Sequence, residues 1–371
     1  MATANKKFRV LVVDDSTFMR KVLERIFNAD EHLQVVGNAK DGREAVALAE
    51  SLKPDVITMD INMPHVDGLQ ATAEIMTTNP RPIVIVSSES HEGAASTLRA
   101  LELGAIEFVA KPSSAIDLDM QSVKEDLLRK VRMAAKVRVV RTASRLASTI
   151  QNAIGSKPAP VSIRPVPITG LDQRFPVVVL AASTGGPATV MRIAPGFTGD
   201  FPAAVILVQH MPAAFTTQYA AQLAEFTGIR VKEAEANESL QPGTLYICPG
   251  GQHLRVTSTG RIQLDGTSGR INGYLPNIDA TMESVAAFAG PLSIAGVLTG
   301  MGNDGAKGAK AIKAAGGLVV AQDEATSVIF GMPAEAIKTG AVDQVLGIDD
   351  IYAAIEKRVL GICRTAPAGV R

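Results

Sequence analysis

The sequence predicts an α/β protein made of two doubly wound units, an N-terminal five-stranded parallel sheet and a C-terminal, mostly parallel sheet. Three observations carry this. Between residues 8 and about 112, β-rich runs alternate with segments of helical period. From residue 175 a second alternation of the same kind begins. Between them, prolines at 158, 160, 165 and 167 exclude regular helix and favour an extended spacer.

In the first half the strand runs are FRVLVV, LQVVGNA, DVITMD, PIVIVSS and AIEFVA, with helices such as FMRKVLERIF and GREAVALAESL between them. Strand and helix alternating at this spacing give a parallel sheet covered on both faces. A helix over 121–139 follows, carrying Arg129, Lys130, Arg132, Lys136 and Arg138, with Arg141 and Arg145 beyond it. This basic run reads as a solvated helix face leading into a linker. In the second half the runs are PVVVLAAS, AAVILVQH, IRVKEAE and GTLYICP, then a hairpin HLRVTSTGRIQLDG, then LSIAGVLTG and GLVVAQDE. The expected division is 1–125, a helical and proline-rich linker over 126–172, and 173–371.

Lys+Arg and Asp+Glu are equal at 37 each, which argues against nucleic acid or an anionic membrane surface as the main partner. No apolar run approaches the roughly 18 residues of a spanning helix. MATANKKFRVLVV shows no signal-peptide cleavage pattern, so the expected location is the cytoplasm. Cys248 and Cys363 lie far apart without metal-ligand partners in sequence and read as free thiols.

Asp14-Asp15 end the first strand run, Asp60 the third and Ser87 the fourth, while Lys111-Pro112 follow the fifth. Strand ends of a parallel sheet share one edge, so three carboxylates, a hydroxyl and an amine converge there. Crowded carboxylates repel unless a cation joins them, and hard oxygen ligands suit Mg²⁺. A single acid after a strand is more often a helix cap; five such groups together are not. The set VVDDS, DVITMDINMPHVDG, VIVSSES and FVAKP resembles the receiver domain of two-component response regulators, a flavodoxin-like fold. The resemblance implies that Asp60 accepts a phosphoryl group from a histidine kinase. It implies Mg²⁺ on Asp15, Asp60 and the Asn62 carbonyl, supported by Asp14. Ser87 and Lys111 would touch the phosphoryl oxygens, and Phe108 takes the position of the switch aromatic.

The second half holds a dinucleotide-like pattern. SIAGVLTGMGNDGAKGAKAIKAAGGLVVAQDE reads as strand, Gly300-x-Gly302-x-x-Gly305, helix and strand, with Asp323 and Glu324 near the place of a ribose-binding acid. Against it, Asp304 would set a carboxylate at the helix N-terminus that a pyrophosphate needs. A different role suits Asp304. If the strands carrying Ser183, His210 and Asp304 are neighbours, the three meet in one crevice, where serine needs a base and the base needs a carboxylate. Ala181-x-Ser183-x-Gly185 is one glycine short of a nucleophile elbow, and Gly185-Gly186 lack the GK[ST] ending of a P-loop. The turn is therefore a seat for a serine rather than a phosphate cradle. His253, at the start of the hairpin, is the rival base, and a packing role suits it better.

AASTGGP, VQHMP, LTGMGNDGAKG and AQDEATSVIFGMPAEA, in this order behind a receiver, resemble the chemotaxis receptor protein-glutamate methylesterases. The resemblance implies hydrolysis of glutamate γ-methyl esters on chemoreceptors, releasing methanol, and in many members deamidation of receptor glutamines, with no cofactor for the hydrolysis. It assigns the nucleophile to Ser183, the base to His210 and the orienting acid to Asp304, and puts Thr184 and Met301 beside the oxyanion hole. Ala181 departs from a glycine common in the family. The family also implies a receiver that restricts access to the crevice until Asp60 is phosphorylated, drawing Ser87 and Phe108 inward. The competing readings are a binding-only output domain, a DNA-binding regulator and a dinucleotide enzyme. Zero net charge and a long α/β output half speak against DNA.

Overall fold

The computed structural model describes residues 7–87, 91–111, 120–137 and 175–365, and the chain divides into two compact units, Met1–Ser156 and Lys157–Arg371. The expected proline-rich linker lies outside the described residues.

The first unit contains β1 (Phe8–Val13), α1 (Thr17–Asn28), β2 (Leu33–Ala39), α2 (Gly42–Leu52), β3 (Val56–Met59), α3 (Gly68–Thr78), β4 (Ile83–Ser87), α4 (His91–Glu102), β5 (Glu107–Ala110) and α5 (Met120–Ala134). All strand pairs are parallel, in the order β2-β1-β3-β4-β5. Helix starts follow from local chemistry. Ser16, Asp41 and Asp67 each accept a hydrogen bond from the amide three residues on, so a polar side chain satisfies a first-turn donor. Because the order reverses between β1 and β3, Asp14-Asp15 and Asp60 leave adjacent strands at the switch point, where such sheets hold ligands. Gly68 lets α3 begin against β3, since a Cβ there would collide with the Asp60 carbonyl.

The expected boundary at 125 is corrected by packing. Leu127, Val131 and Ala134 of α5 are buried with Val10, Val84 and Val109 in one core, so this helix belongs to the first unit rather than to a linker. It also stops at Ala134, short of the expected 139: Lys136 N and Val137 N bond the Met133 and Ala134 carbonyls three residues back, a tightened last turn. Of its basic residues, Arg129 pairs with Asp126, Lys130 with Asp126 and Glu107, and Arg132 with Asp30. Arg138, Arg141 and Arg145 lie outside the described residues.

The second unit contains β6 (Val177–Ala182), α6 (Gly186–Ile193), β7 (Ala204–Gln209), α7 (Ala213–Ala224), β8 (Arg230–Glu233), β9 (Thr244–Ile247), β10 (His253–Val256), β11 (Ile262–Asp265), α8 (Ile278–Ala289), β12 (Ser293–Val297), α9 (Ala306–Ala314), β13 (Leu318–Gln322), α10 (Met332–Lys338), β14 (Gln344–Leu346) and α11 (Ile348–Thr365). Seven strands form a parallel sheet in the order β14-β13-β12-β6-β7-β9-β8, and β10 and β11 pair apart as an antiparallel hairpin. Every residue of β6, β7 and β12 is buried, as expected for strands covered on both faces. Two elements were not read from the sequence, the three-residue edge strand β14 and the long final helix α11. The chain runs from β6 outward to β7 and later returns to place β12 on the other side of β6. The switch point therefore falls at β6, flanked by β12 and β7.

Candidate active site

The strands that precede Ser183, His210 and Asp304 are neighbours in the order β12-β6-β7, and all three residues lie beyond their C-terminal ends. Ser183 follows β6, and its amide donates to the Thr299 carbonyl at 3.1 Å, tying the turn to the loop after β12. Gly185 adopts φ 76° and caps α6, with Pro187 in its first turn. That left-handed step bends the chain straight from strand into helix. Ala181 keeps its register with Val297 and Val208, so its methyl leaves the strand undisturbed.

His210 follows β7. Its Nε2 lies 2.9 Å from Oδ2 of Asp304, which is 1% exposed. A carboxylate only accepts, so Nε2 carries the proton and Nδ1 is left as the basic nitrogen. Among the described residues no hydrogen bond joins the Ser183 hydroxyl to the ring. What brings the two residues together is the backbone. His210 N donates to the Ala182 carbonyl at 3.1 Å, and Gln209 Nε2 donates to the carbonyls of both Ser183 (2.9 Å) and His210 (3.3 Å).

Asp304 is fixed by an exchange of carboxylates between two helices. It accepts from Ile278 N at 2.8 Å, Asp279 N at 3.0 Å and Asn277 Nδ2 at 2.9 Å, all at the start of α8. In return, Asp279 Oδ1 accepts from Gly305 N (2.9 Å) and Gly308 N (2.8 Å) at the start of α9. Each carboxylate thus sits where another helix presents free amides and a positive dipole end. Burial pushes the Asp279 carboxyl above its usual range, and the Asp304 charge adds to this while the Gly308 and Gly305 amides oppose it.

This exchange overturns the dinucleotide pattern, for a reason other than the expected one. The N-terminus of α9 is occupied not by Asp304 but by the Asp279 carboxylate, which takes the Gly305 and Gly308 amides and would repel a pyrophosphate there. The glycines serve other needs. A Cβ on Gly300 would lie 2.8 Å from the Ser183 Cβ, Gly302 has φ 93°, and Gly305 has φ 95° as the α9 cap. Asp323 accepts from the Thr326 amide and hydroxyl at 2.9 and 2.6 Å and is a turn cap.

His253 is a satisfied core residue: Asn277 N donates to its Nδ1 at 3.1 Å, and its Nε2–H donates to the Gly269 carbonyl at 2.8 Å. Thr184 follows Ser183, and among the described residues its amide makes no hydrogen bond, while its carbonyl accepts from the Thr299 hydroxyl at 3.0 Å. Met301 lies in the loop after β12, between Gly300 and Gly302. Gln209, Thr299, Asn277 and Asp279 were not singled out by sequence reasoning. Their common signal is a polar residue in an otherwise apolar run or at a helix start.

In the first unit, Lys111 Nζ lies 2.9 Å from Asp14 Oδ2 and 2.8 Å from Asp60 Oδ2, and Ile61 N donates to Asp60 Oδ1 at 2.8 Å. Asp14, Asp15 and Asp60 each offer an oxygen within 4.8 Å of the others. Asp15 and Asn62 are exposed, and Asn62 lies two residues beyond Asp60. Burial raises the Asp60 carboxyl, Lys111 opposes this, and Asp14 adds to it. Burial lowers the Lys111 ammonium, but hydrogen bonds and attraction from Asp60 and Asp14 outweigh it and leave it raised. Ser87 bonds the Gly93 carbonyl at 3.4 Å, and Phe108 packs inside with Lys130 Nζ 5.2 Å from its ring centroid. Both residues are buried in this arrangement.

Comparison with known proteins places these two units. The family described as CheB methylesterase matches residues 178–355, and that described as response regulator receiver domain matches residues 10–122. A protein-glutamate methylesterase/protein-glutamine glutaminase of Pyrococcus horikoshii is 41% identical over 364 residues, covering 97% of this chain and 95% of its own. This chain belongs to the CheB methylesterase family. A relative of the same name from Symbiobacterium thermophilum is 42% identical over 365 residues, 95% of this chain and 98% of its own. The crystal structure of the Thermotoga maritima CheB methylesterase catalytic domain is 40% identical and covers 49% of this chain and 98% of its own, with a TM-score of 0.48. The chain is thus a hydrolase of this family carrying a receiver domain. Among the described residues no helix is long and apolar enough to cross a membrane.

Proposed function

We propose that the second unit hydrolyses glutamate γ-methyl esters of chemoreceptors with Ser183 as nucleophile, His210 as base and Asp304 as orienting acid. The observation that carries this is the 2.9 Å His210–Asp304 bond at the switch point beside the Ser183 turn. The imidazole Nδ1 takes the serine proton as Oγ attacks the ester carbonyl. The buried Asp304 stabilises the resulting imidazolium, and the proton passes to the departing methanol. Water then attacks the glutamyl–serine ester by the same route and restores the enzyme. A receptor glutamine follows the same path with ammonia leaving, and no cofactor is required. Thr184 N, next to the nucleophile, and the Met301 amide in the loop after β12 are the proposed oxyanion donors.

The receiver reading assigns phosphorylation to Asp60, with a histidine kinase as donor in the cytoplasm. Asp15, Asp60 and the Asn62 carbonyl would hold Mg²⁺, supported by Asp14, and the close carboxylate oxygens fit a hard divalent cation. The bound cation would neutralise charge between phosphoryl group and carboxylates. Lys111, already on Asp60 and Asp14, and Ser87 would hold the phosphoryl oxygens. Phosphorylation then raises esterase activity. The test is methanol release from methylated receptor membranes, with and without a small phosphodonor, for wild type, Ser183→Ala and Asp60→Asn. The proposal requires release that the donor stimulates, loss of release in Ser183→Ala, and loss of stimulation alone in Asp60→Asn. Release that survives in Ser183→Ala sinks it.

A further inference from the structure

We infer that Tyr274 is a positioning residue for the His210 imidazole, an inference that rests on His210 acting as the base. The two rings stack with centroids 4.8 Å apart and planes inclined by 16°. Among the described residues the imidazole side chain has one hydrogen bond, from Nε2 to Asp304, and a single bond of this kind leaves the ring free to pivot about it. A flat ring laid against one face removes that freedom. It also screens that face from water and sets a π-surface against the cation that forms when the serine proton is taken.

Two features show that the placement of Tyr274 is built. Ile271 and Tyr274 exchange both main-chain hydrogen bonds, each 3.0 Å, around Asn272 and Gly273 at φ 51° and 87°. Two successive left-handed residues closing such a pair form the tight two-residue turn for which Asn-Gly is the preferred sequence. Tyr274 closes this turn, with its ring against His210. At the other end of the ring, a Cβ on Gly302 would collide with the Tyr274 hydroxyl, so the loop carrying Asp304 leaves room for it. Tyr274 also lines a cleft of about 410 Å³ together with Asn272, Asn303, Asp304 and Lys307. One aromatic side chain therefore spans base, acid loop and cleft wall.

Because the ring acts on the base and not on the ester, its removal should lower kcat and spare KM. For the full-length protein, Tyr274→Leu should reduce kcat for methanol release about tenfold, the size of a partly desolvated cation–π contact. KM for methylated receptor membranes should stay within about twofold. Tyr274→Phe keeps the face and should restore kcat to within about threefold of wild type. An independent readout is the His210 ring-proton resonances, assigned with His210→Gln. The stacked ring should shift them upfield in wild type and Tyr274→Phe, and the shift should vanish in Tyr274→Leu. Unchanged kcat in Tyr274→Leu, a loss confined to KM, or a Phe variant as slow as Leu would each overturn the inference while leaving the serine mechanism standing. Wild-type rates in His210→Gln would remove the base itself and both proposals with it.

Discussion

Asp60 and Asp304 both lie on the C-terminal side of a parallel sheet at its switch point, yet their surroundings differ. Asp60 sits among carboxylates with one ammonium on its outer oxygen and one amide on the other. Asp304 accepts from two helix-start amides, an asparagine side chain and the imidazole. Asp304 is thus held by four donors, whereas Asp60 has two and stands beside like charges. The difference lies less in the acid than in what its neighbours donate.

The largest effect that would break this contrast is in the second unit. Ser183→Ala should lower methanol release by roughly 10⁴-fold or more with the fold intact, because a triad acts as a unit. Circular dichroism beside the assay checks it. Asp304→Asn should cost roughly 10³–10⁴-fold in kcat. Its amide would set an N–H against the α8 amides, so Tm should fall by several degrees for about 1–3 kcal/mol of lost stability. Calorimetry checks the sign.

Asp60→Asn should abolish stimulation by the phosphodonor. Its stability effect should run opposite to that of Asp304→Asn. Burial raises the folded-state carboxyl above its ordinary value of 3.8. Ionisation of Asp60 therefore costs stability once the pH rises through that raised value, and costs nothing below the ordinary one. The neutral amide escapes this cost, and Asp14 still pairs Lys111. Asp60→Asn should raise the receiver's Tm at pH 7, with the gain fading as the pH falls into the carboxylate range. A lower Tm at neutral pH would mean that Lys111 more than offsets the burial. The smallest expected effect is from added Mg²⁺, which should raise the receiver's Tm in wild type more than in Asp60→Asn.

The strand alternation was legible because fully buried parallel strands are continuous apolar runs, and strand ends in such a fold share an edge. That was enough to bring Ser183, His210 and Asp304 together. It was not enough to say who holds Asp304. Asp279 and Asn277 sit at a helix start some 25 residues upstream, in a stretch that reads as ordinary capping. Tyr274 stands on a turn with no period, and the GxGxxG glycines make room for Ser183 and Tyr274 rather than for a cofactor. β14 is too short for any pattern. The tie of α5 to the receiver lies in Leu127, Val131 and Ala134, which their charged neighbours obscure.

The central claim, that Ser183 and His210 act as one device, is tested most directly by a double-mutant cycle on methanol release by the full chain. If they form one unit, Ser183→Ala, His210→Ala and the double variant should all fall to about the same residual kcat. Losses that multiply in the double variant, or a His210→Ala protein within tenfold of wild type, would contradict it.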